Sequence, residues 1–252
     1  MFDFTFYSPT RVHFGKNKLR MLSGELRQAA TKVLFVFGQE SARRNGVYDA
    51  VARELQSHAI PFCELGGIVP NPTLSRVHEG IALCRKEGID FILAAGGGSV
   101  IDTAKAVAAG VCYQGDIWDL YKTHTGPRAA LGLGTIPTVA ASGSEINGNS
   151  VITHDTIREK RSCGSPVLIP RFAIVNPEFT YSVPPRTTAA GIADIMSHVI
   201  ENALSPIQGA ALQEHMGGAI LKTCLSWGPV AVREPCSYTA RANIQWASAL
   251  AL

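Results

Sequence analysis

Short, uninterrupted apolar runs alternate with helix-like segments through the first half of this 252-residue sequence. Residues 33–37 read VLFVF before Gly38, and residues 91–95 read FILAA before three glycines. Apolar runs of this length without polar alternation are typical of strands buried on both faces of a parallel sheet. The remaining segments predict a helix over 46–57, a strand over 60–64, a helix over 73–87 and a helix from Ser99. This order implies right-handed βαβ units, so the predicted fold class is α/β with a Rossmann-like parallel sheet.

The first residues of the sequence show a different pattern. Phe2, Phe4 and Phe6 repeat with period two, a Ser-Pro-Thr turn follows, and residues 11–14 read RVHF before Gly15. Apolar residues with period two on the two sides of a turn predict a β-hairpin.

From about Pro184 the sequence predicts helices with no strand between them. These helices cover residues 187–203, 211–227 and 238–252. The last has no glycine, asparagine or polar tail that would end it, so we expect a helical domain that is incomplete in this sequence. The predicted domains are therefore an α/β domain over residues 1–183 and the beginning of an all-helical domain over residues 184–252.

The composition argues against several classes of function. Hydrophobic residues make up 46% of the chain and charged residues 17%, which is ordinary for a globular protein with a core. The formal charge of +3 is spread thinly, so we predict no nucleic-acid partner. No stretch approaches the ~20 apolar residues that would cross a bilayer, and the six cysteines show no CxxC spacing. We therefore predict a cytoplasmic protein with reduced thiols and no membrane partner.

The clearest chemical feature is the segment 190–201, which reads AGIADIMSHVIE and contains Asp194 and His198. Positions i and i+4 of a helix share one face and lie about 6 Å apart along the axis. A carboxylate oxygen and an imidazole nitrogen at that spacing can bind one divalent cation together. One further histidine follows, His215, and we interpret it as a surface histidine. The sequence thus predicts half of a metal site.

A second feature is the segment 94–105, AAGGGSVIDTAK, where a buried strand passes into a helix. Glycines let the backbone approach a ligand closely, and the N–H groups at a helix start suit a pyrophosphate. The segment is not a GxGxxG fingerprint, because Ile101 occupies the position of the third glycine. The alternative interpretation is an ordinary tight turn in which Ser99 caps the helix.

A third feature is the segment 134–145, GTIPTVAASGSE, in which a strand end precedes a loop rich in hydroxyl groups. Thr138, Ser142 and Ser144 can donate hydrogen bonds to phosphate or ribose oxygens. A hydroxyl-stabilised turn with a helix cap explains the same residues equally well, so this segment alone decides nothing.

Together, AAGGGSVIDTAK, TIPTVAASGSE and GIADIMSHVIE, in this order and at these separations, resemble the iron-containing (group III) alcohol dehydrogenases. The likeness is strongest to the NADP-dependent butanol dehydrogenase and aldehyde reductase branch, and it covers essentially the whole chain. It implies an N-terminal dinucleotide-binding domain and a C-terminal helical, metal-binding domain. It also implies Fe(II) or Zn(II) held by one aspartate and three histidines, and a homo-oligomer, commonly a dimer.

The resemblance implies metal-assisted hydride transfer between NAD(P)(H) and a primary alcohol or aldehyde. Asp194 and His198 match the first two metal ligands of the family, whose other two histidines would follow residue 252. Catalytic metals normally have three or more protein ligands. We therefore expect this sequence alone to bind metal weakly and to turn over little alcohol.

The resemblance also implies the cofactor contacts. The positions that match pyrophosphate contacts are Gly97, Gly98 and Ser99, and those that match contacts to the ribose and the nicotinamide side are Thr138 and Ser142. Asp102 occupies a family position near the cofactor and the substrate. Lys160 occupies a basic position of the aldehyde reductase branch and could orient the nicotinamide or a substrate oxygen. A solvated lysine between basic neighbours is an equally good interpretation of Lys160.

Cofactor choice depends on the residues after the strand 33–37. NAD-specific relatives have an aspartate there that would repel a 2′-phosphate, whereas this chain has Gly38. Ser41 matches a hydroxyl donor to the phosphate, and Arg43 or Arg44 could supply positive charge. Glu40 departs from the branch and could repel the phosphate. We predict NADP(H), with NAD(H) possible.

Two other functions remain open at this point. A lyase of the dehydroquinate synthase type shares the fold, NAD and a metal, but would need a basic cluster for its phosphorylated substrate, which is absent around residues 194–201. A nucleotide-binding module without chemistry is the other. The sequence names neither the substrate nor the metal, since one aspartate with histidines suits iron and zinc alike.

Overall fold

The computed structural model describes residues 3–39, 42–43, 45–205 and 209–251. The strands are β1 (Arg11–Phe14), β2 (Val33–Gly38), β3 (Phe62–Ile68), β4 (Phe91–Gly96), β5 (Gly132–Pro137), β6 (Asn149–His154), β7 (Glu159–Gly164) and β8 (Phe172–Val175). The α-helices are α1 (Leu22–Arg27), α2 (Val47–Ser57), α3 (Leu74–Glu87), α4 (Gly98–Cys112), α5 (Trp118–Thr123), α6 (Pro185–Ala203), α7 (Ala211–Arg233) and α8 (Tyr238–Leu250). None of the helices in these ranges is long and apolar enough to cross a membrane.

Six strands form one parallel sheet in the order β1-β8-β5-β4-β2-β3. The apolar runs that predicted β2 and β4 lie side by side at its centre, with Val33 paired to Phe91 and Phe37 to Ala95. Their side chains are buried because helices cover both faces of such a sheet. The predicted α/β class with a parallel sheet is confirmed.

The predicted β-hairpin at the start of the chain is wrong. Residues 3–10 contain no strand, and β1 pairs in parallel with β8, with Arg11 opposite Phe172. Phe4 and Phe6 are 67% and 82% exposed. The period-two pattern therefore had no partner strand to pack against, and Phe2 lies outside the described residues.

Several elements were not predicted from the sequence. Strands β6 and β7 form a two-stranded antiparallel hairpin, with Ser150 opposite Cys163 and Thr153 opposite Lys160. Strand β7 reads EKRSCG and carries its charges without the apolar alternation that marks a half-buried strand. Helix α5 has only six residues, too few for a periodic pattern.

The three predicted helices of the second half are present. Helix α6 begins at Pro185, where the ring fixes the backbone angle that the first helical residue needs and the missing N–H costs nothing. Helix α7 continues past the predicted end at residue 227 and includes Pro229. The helices share a core that contains Ile192, Ile195 and Cys224.

The chain divides into two compact units. The α/β unit comprises Thr10–Pro137 and Ser144–Asn176, and the helical unit comprises Met1–Pro9, Thr138–Gly143 and Pro177–Leu252. The segment Thr138–Gly143 thus clusters with the helices although strand β5 directly precedes it. The domain ranges predicted from the sequence, 1–183 and 184–252, stay predictions.

Candidate functional site

The α/β unit brings the predicted pyrophosphate residues to the start of α4. Gly97 adopts an extended conformation immediately before the helix, which begins at Gly98, and no side chain caps its first amides. Ser99 lies inside the first turn, so the alternative in which Ser99 caps the helix is wrong. A Cβ on Gly96 would lie 2.4 Å from Val100 Cγ2, so only glycine permits this strand to turn so tightly into the helix. The helix start is left open to an anion.

The strand order places this helix start at a topological switch point. The chain leaves β2 for β3 on one side and leaves β4 for β5 on the other, so connections diverge between β2 and β4. Ligands of open parallel sheets bind outside the carboxyl ends of the strands at such a point. Gly38 ends β2 and Gly97 follows β4. Phe37, one residue before Gly38, is paired with Ala95, two residues before Gly97. The two predicted cofactor positions are therefore neighbours at one edge of the sheet.

The residues after β2 are described only in part. Ser41 and Arg44, like Glu40, lie outside the described residues, so their predicted roles stay predictions. The Arg43 guanidinium lies 4.1 Å from the centre of the Tyr48 ring and 3.7 Å from Glu64 Oε2. Tyr48 in turn donates a 2.6 Å hydrogen bond to Glu64. A carboxylate therefore already faces the one arginine that the structure describes in this segment.

Asp102 lies one helical turn beyond the α4 start. Its Oδ1 accepts a 2.8 Å hydrogen bond from Ser144, and its Oδ2 accepts a 3.0 Å bond from the Val151 amide. Burial raises the pKa of the Asp102 carboxyl, while the charge of Lys105 and the bond from Ser144 act in the opposite direction. The Ser144 hydroxyl thus donates its proton to Asp102, so in this arrangement it does not donate a hydrogen bond to a phosphate.

Lys105 is fully buried on the next turn of α4. Its ammonium donates to Ser144 Oγ at 2.9 Å, Asn147 Oδ1 at 3.1 Å and the Asn149 carbonyl at 2.8 Å. Burial lowers the pKa of Lys105 to about 8, and the carboxylates of Asp102 and Glu145 counter that shift. Burial likewise raises the pKa of Glu145 to about 6. This set, the α4 polar cluster, consists of Asp102, Lys105, Ser144, Glu145, Asn147 and Asn149.

Sequence reasoning assigned no role to Lys105 or Glu145. One signal was available, because Lys105 is the single charged residue in the run AKAVAAGV, three positions after Asp102. A charge within an otherwise apolar helix is buried only with partners. The partners are contributed by a loop some 40 residues later, which no local pattern reveals.

Lys160 lies exposed on β7, and its ammonium donates a 3.0 Å hydrogen bond to Asn71 Oδ1. Asn71 stands between two prolines and has a left-handed φ of 56°, which asparagine tolerates better than most residues. The charge of Lys160 also opposes the rise that burial causes in the pKa of Asp102. Both interpretations of Lys160 are compatible with these contacts, so its role stays a prediction.

The helical unit contains the other predicted residues. Thr138 and Ser142 belong to the segment Thr138–Gly143, which packs on α6. A Cβ on Gly191 would lie 2.3 Å from the Ala140 carbonyl oxygen, so the glycine permits backbone contact between the segment and the helix. Asp194 follows Gly191 by three residues. The unit thus holds the hydroxyl-rich segment against the helix that carries both predicted metal ligands.

Asp194 and His198 share one face of α6 as predicted. His198 Nε2 lies 3.7 Å from Asp194 Oδ2, and the side chains are 26% and 47% exposed respectively. An accessible carboxylate beside an accessible imidazole fits part of the coordination shell of a divalent cation. Within the described ranges no group of three or more His, Cys, Asp or Glu could hold a metal ion. His215 lies exposed on α7.

The chain is similar to known proteins in both sequence and fold. The family model described as "Iron-containing alcohol dehydrogenase" matches residues 9–177, more than half of the chain. The chain is 43% identical over 252 residues to NADH-dependent butanol dehydrogenase B of Clostridium acetobutylicum, covering 100% of this chain and 65% of that protein. It is 35% identical over 255 residues to the NADPH-dependent aldehyde reductase YqhD of Escherichia coli, with the same two coverages.

A crystal structure of NADH-dependent butanol dehydrogenase A from Thermotoga maritima superimposes with a TM-score of 0.96 at 36% identity. The superposition covers 99% of this chain and 63% of that one. The chain therefore spans about two thirds of the length of the relatives that it matches. By its sequence and its fold, the chain belongs to the iron-containing alcohol dehydrogenase family.

Proposed function

We propose that this chain forms the dinucleotide-binding part, and supplies two metal ligands, of an oxidoreductase. The reaction is hydride transfer between NAD(P)(H) and a primary alcohol or aldehyde. The observation that carries the proposal is the uncapped, glycine-led start of α4 at the switch point between β2 and β4. The names of the matched butanol dehydrogenases and aldehyde reductase support the same reaction class.

The residues have distinct roles in this proposal. Backbone N–H groups of Gly97, Gly98 and Ser99 bind the pyrophosphate, helped by the positive end of the helix dipole. Hydroxyl groups of Thr138 and Ser142 bind the ribose and the nicotinamide side. A bound nicotinamide supplies or accepts the hydride.

Asp102 and Lys160 act nearer the reacting end in this proposal. Asp102 orients the neighbouring loop, since both of its carboxylate oxygens accept hydrogen bonds from it. Lys160 directs its exposed ammonium toward the nicotinamide amide or a substrate oxygen. Its bond to Asn71 restricts where that ammonium can lie.

Asp194 and His198 are the proposed protein ligands of a divalent cation, Fe(II) or Zn(II). Their separation of 3.7 Å and their exposure support shared coordination. When bound, such a cation acts as a Lewis acid that polarises the substrate oxygen. Two ligands fall short of the three or more that catalytic sites normally have, so we expect weak metal binding by this chain.

We propose NADP(H) as the preferred cofactor, with NAD(H) as the alternative. Gly38 offers no carboxylate to repel a 2′-phosphate, and Arg43 stands five residues further along. The pairing of Arg43 with Glu64 weakens this preference, because a phosphate would have to compete with that carboxylate. A homodimer, on the family resemblance, and a cytoplasmic location, which we predicted from the sequence, complete the proposal.

Titration of the purified chain with NADPH and with NADH, followed by cofactor fluorescence, tests the binding proposal. A lower Kd for NADPH than for NADH is expected, and failure to bind either would contradict the function. Butanal-dependent NADPH oxidation on the same sample, with added iron or zinc, tests the chemistry. We expect little turnover.

A nucleotide-binding module without chemistry is the second candidate. It is favoured by the lack of a third potential metal ligand near Asp194 and His198 in the described ranges. Stoichiometric metal with robust aldehyde reduction by this chain would exclude that candidate.

A further inference from the structure

We infer that Lys105 is a positioning residue for the nicotinamide half of the cofactor site. The inference rests on the function proposed above. It concerns a side chain that touches neither cofactor nor substrate in this proposal. Lys105 acts by holding residues 144–149 on α4, the helix whose start receives the pyrophosphate.

The geometry of Lys105 leaves its ammonium no freedom. An ammonium group has three N–H donors, and Lys105 directs them at three acceptors that lie at 2.8 to 3.1 Å. All three belong to residues 144–149, although Lys105 itself is on α4. Asn147 Oδ1 also accepts from the Asn149 amide at 2.9 Å, so the side chain that binds Lys105 also shapes the loop.

A second set of bonds attaches the following residues to the same helix. Asp102 accepts from Ser144 and from the Val151 amide, and its carbonyl accepts a 2.8 Å bond from Ser150. A further bond comes from another helix, since Tyr121 on α5 and Ser150 share a 2.7 Å hydrogen bond between their hydroxyl groups. The segment 144–151 is thus fastened to α4 along its length, and Lys105 supplies the only buried positive charge in the α4 polar cluster.

Along the chain, residues 144–151 lie between Ser142 and Lys160, which are both proposed to act on the nicotinamide side. Ser142 precedes Ser144 by two residues, and β6 continues into the hairpin that carries Lys160. By contrast, the adenosine and pyrophosphate half depends on the end of β2 and on backbone amides at the α4 start. Loosening the segment should therefore weaken contacts to one half of the dinucleotide and spare the other.

Two carboxylates lie near enough to the Lys105 ammonium to interact with its charge. The carboxylates of Asp102 and Glu145 both act on its ammonium. Methionine at this position would keep the length and apolar character of the stem. It would leave two carboxylates without the neighbouring positive charge and three acceptors without their donor. Buried acceptors that lose a charged donor are costly, so the loop should shift to reach water.

The test compares Lys105→Met with the unchanged chain, using NADPH and ADP as separate probes. ADP contains the adenosine and the pyrophosphate but lacks the nicotinamide riboside. For Lys105→Met we expect the Kd of NADPH to rise about tenfold or more and that of ADP to change less than about threefold. A variant that merely loosened the whole fold would weaken both ligands alike.

Two further variants keep the test decisive. Lys86→Met removes an exposed lysine from α3 and should change neither Kd. Ser144→Ala removes the hydroxyl that links Lys105 to Asp102, and it should raise the Kd of NADPH by about threefold without affecting ADP. Ser144→Ala carries the test if circular dichroism shows that Lys105→Met does not fold.

Each outcome is informative. Equal loss of NADPH and ADP affinity, or no loss of either, would overturn the positioning role while leaving the proposed function intact. Failure of the unchanged chain to bind NADPH or NADH would instead reject the proposed function, and this inference with it.

Discussion

The candidate sites of the two units are built from different parts of the chain: backbone in the α/β unit and side chains in the helical unit. In the α/β unit, the candidate site consists mainly of backbone at the ends of β2 and β4, and a buried, fully bonded lysine supports the adjoining loop. In the helical unit, the candidate metal ligands are two accessible side chains on one helix. Backbone sites are complete once the fold forms, whereas a metal site needs side chains from several places. The nucleotide part should therefore function without the metal part.

The largest expected effect concerns the helical unit. Gly191→Ala places a methyl group 2.3 Å from the Ala140 carbonyl oxygen, so the segment Thr138–Gly143 must move away from α6. We expect a loss of about 1–3 kcal/mol in the free energy of unfolding, measured by urea denaturation. Gly218→Ala is the matched control, because nothing lies within 4 Å of its added methyl group. Alanine there should stabilise α7 by up to about 1 kcal/mol. Equal behaviour of the two variants would contradict the close contact.

The next effect concerns pH and the α4 polar cluster. Glu145 has a folded pKa raised from 4.5 to about 6, so the folded state holds a proton that the unfolded state releases. Stability should therefore fall by about 2 kcal/mol as pH rises from 4.5 through 6. Lys105 has a folded pKa lowered from 10.5 to about 8, so stability should rise again as pH increases from about 8 toward 10.5.

Two variants test whether Glu145 and Lys105 cause these changes of stability with pH. Urea denaturation at a series of pH values should show that Glu145→Gln lacks the decrease between pH 4.5 and 6. Lys105→Met should lack the increase above pH 8. Unchanged slopes in both variants would mean that other groups carry the pH dependence.

A change at the α4 start should weaken the nucleotide site directly. Gly98→Glu places a carboxylate beside the proposed pyrophosphate position, and we expect the Kd of NADPH to rise at least about tenfold, or 1.4 kcal/mol. Gly24→Glu on α1 is the control, since its added Cβ meets nothing within 4 Å. Comparable NADPH binding by both variants would place the pyrophosphate elsewhere.

The smallest effect is expected for metal. Added zinc should raise the free energy of unfolding of this chain by less than about 1 kcal/mol, because within the described residues we propose only Asp194 and His198 as ligands. Asp194→Asn should abolish even that, while NADPH binding stays unchanged. Tight zinc binding by the unchanged chain would show that the helical unit completes a site without further ligands.

Prediction from sequence succeeded where the signal was local and strong. The runs before Gly38 and after residue 90 identified β2 and β4 because strands buried on both faces must be continuously apolar. Asp194 and His198 were expected on one helical face, and their side chains lie 3.7 Å apart. In both cases, the periodicity of a single element was sufficient.

Prediction failed where the partner of a segment lay elsewhere in the chain. The phenylalanine pattern at residues 2–6 suggested a hairpin, but β1 pairs with β8, which follows some 160 residues later. Ser99 was a candidate helix cap, yet the chain enters α4 through Gly97 and Gly98. Residues 144–151 showed no periodicity because their order comes from Asp102 and Lys105 on another element.

The sequence by itself determined the parallel sheet, the glycine-led start of α4 and the placement of Asp194 and His198 on one face of α6, since each follows from the spacing of residues within one element. Only the tertiary structure decided what Lys105 does and where Ser144 directs its proton. Burial makes a charge costly unless donors and acceptors meet it, and those partners come together only when distant segments fold onto one helix.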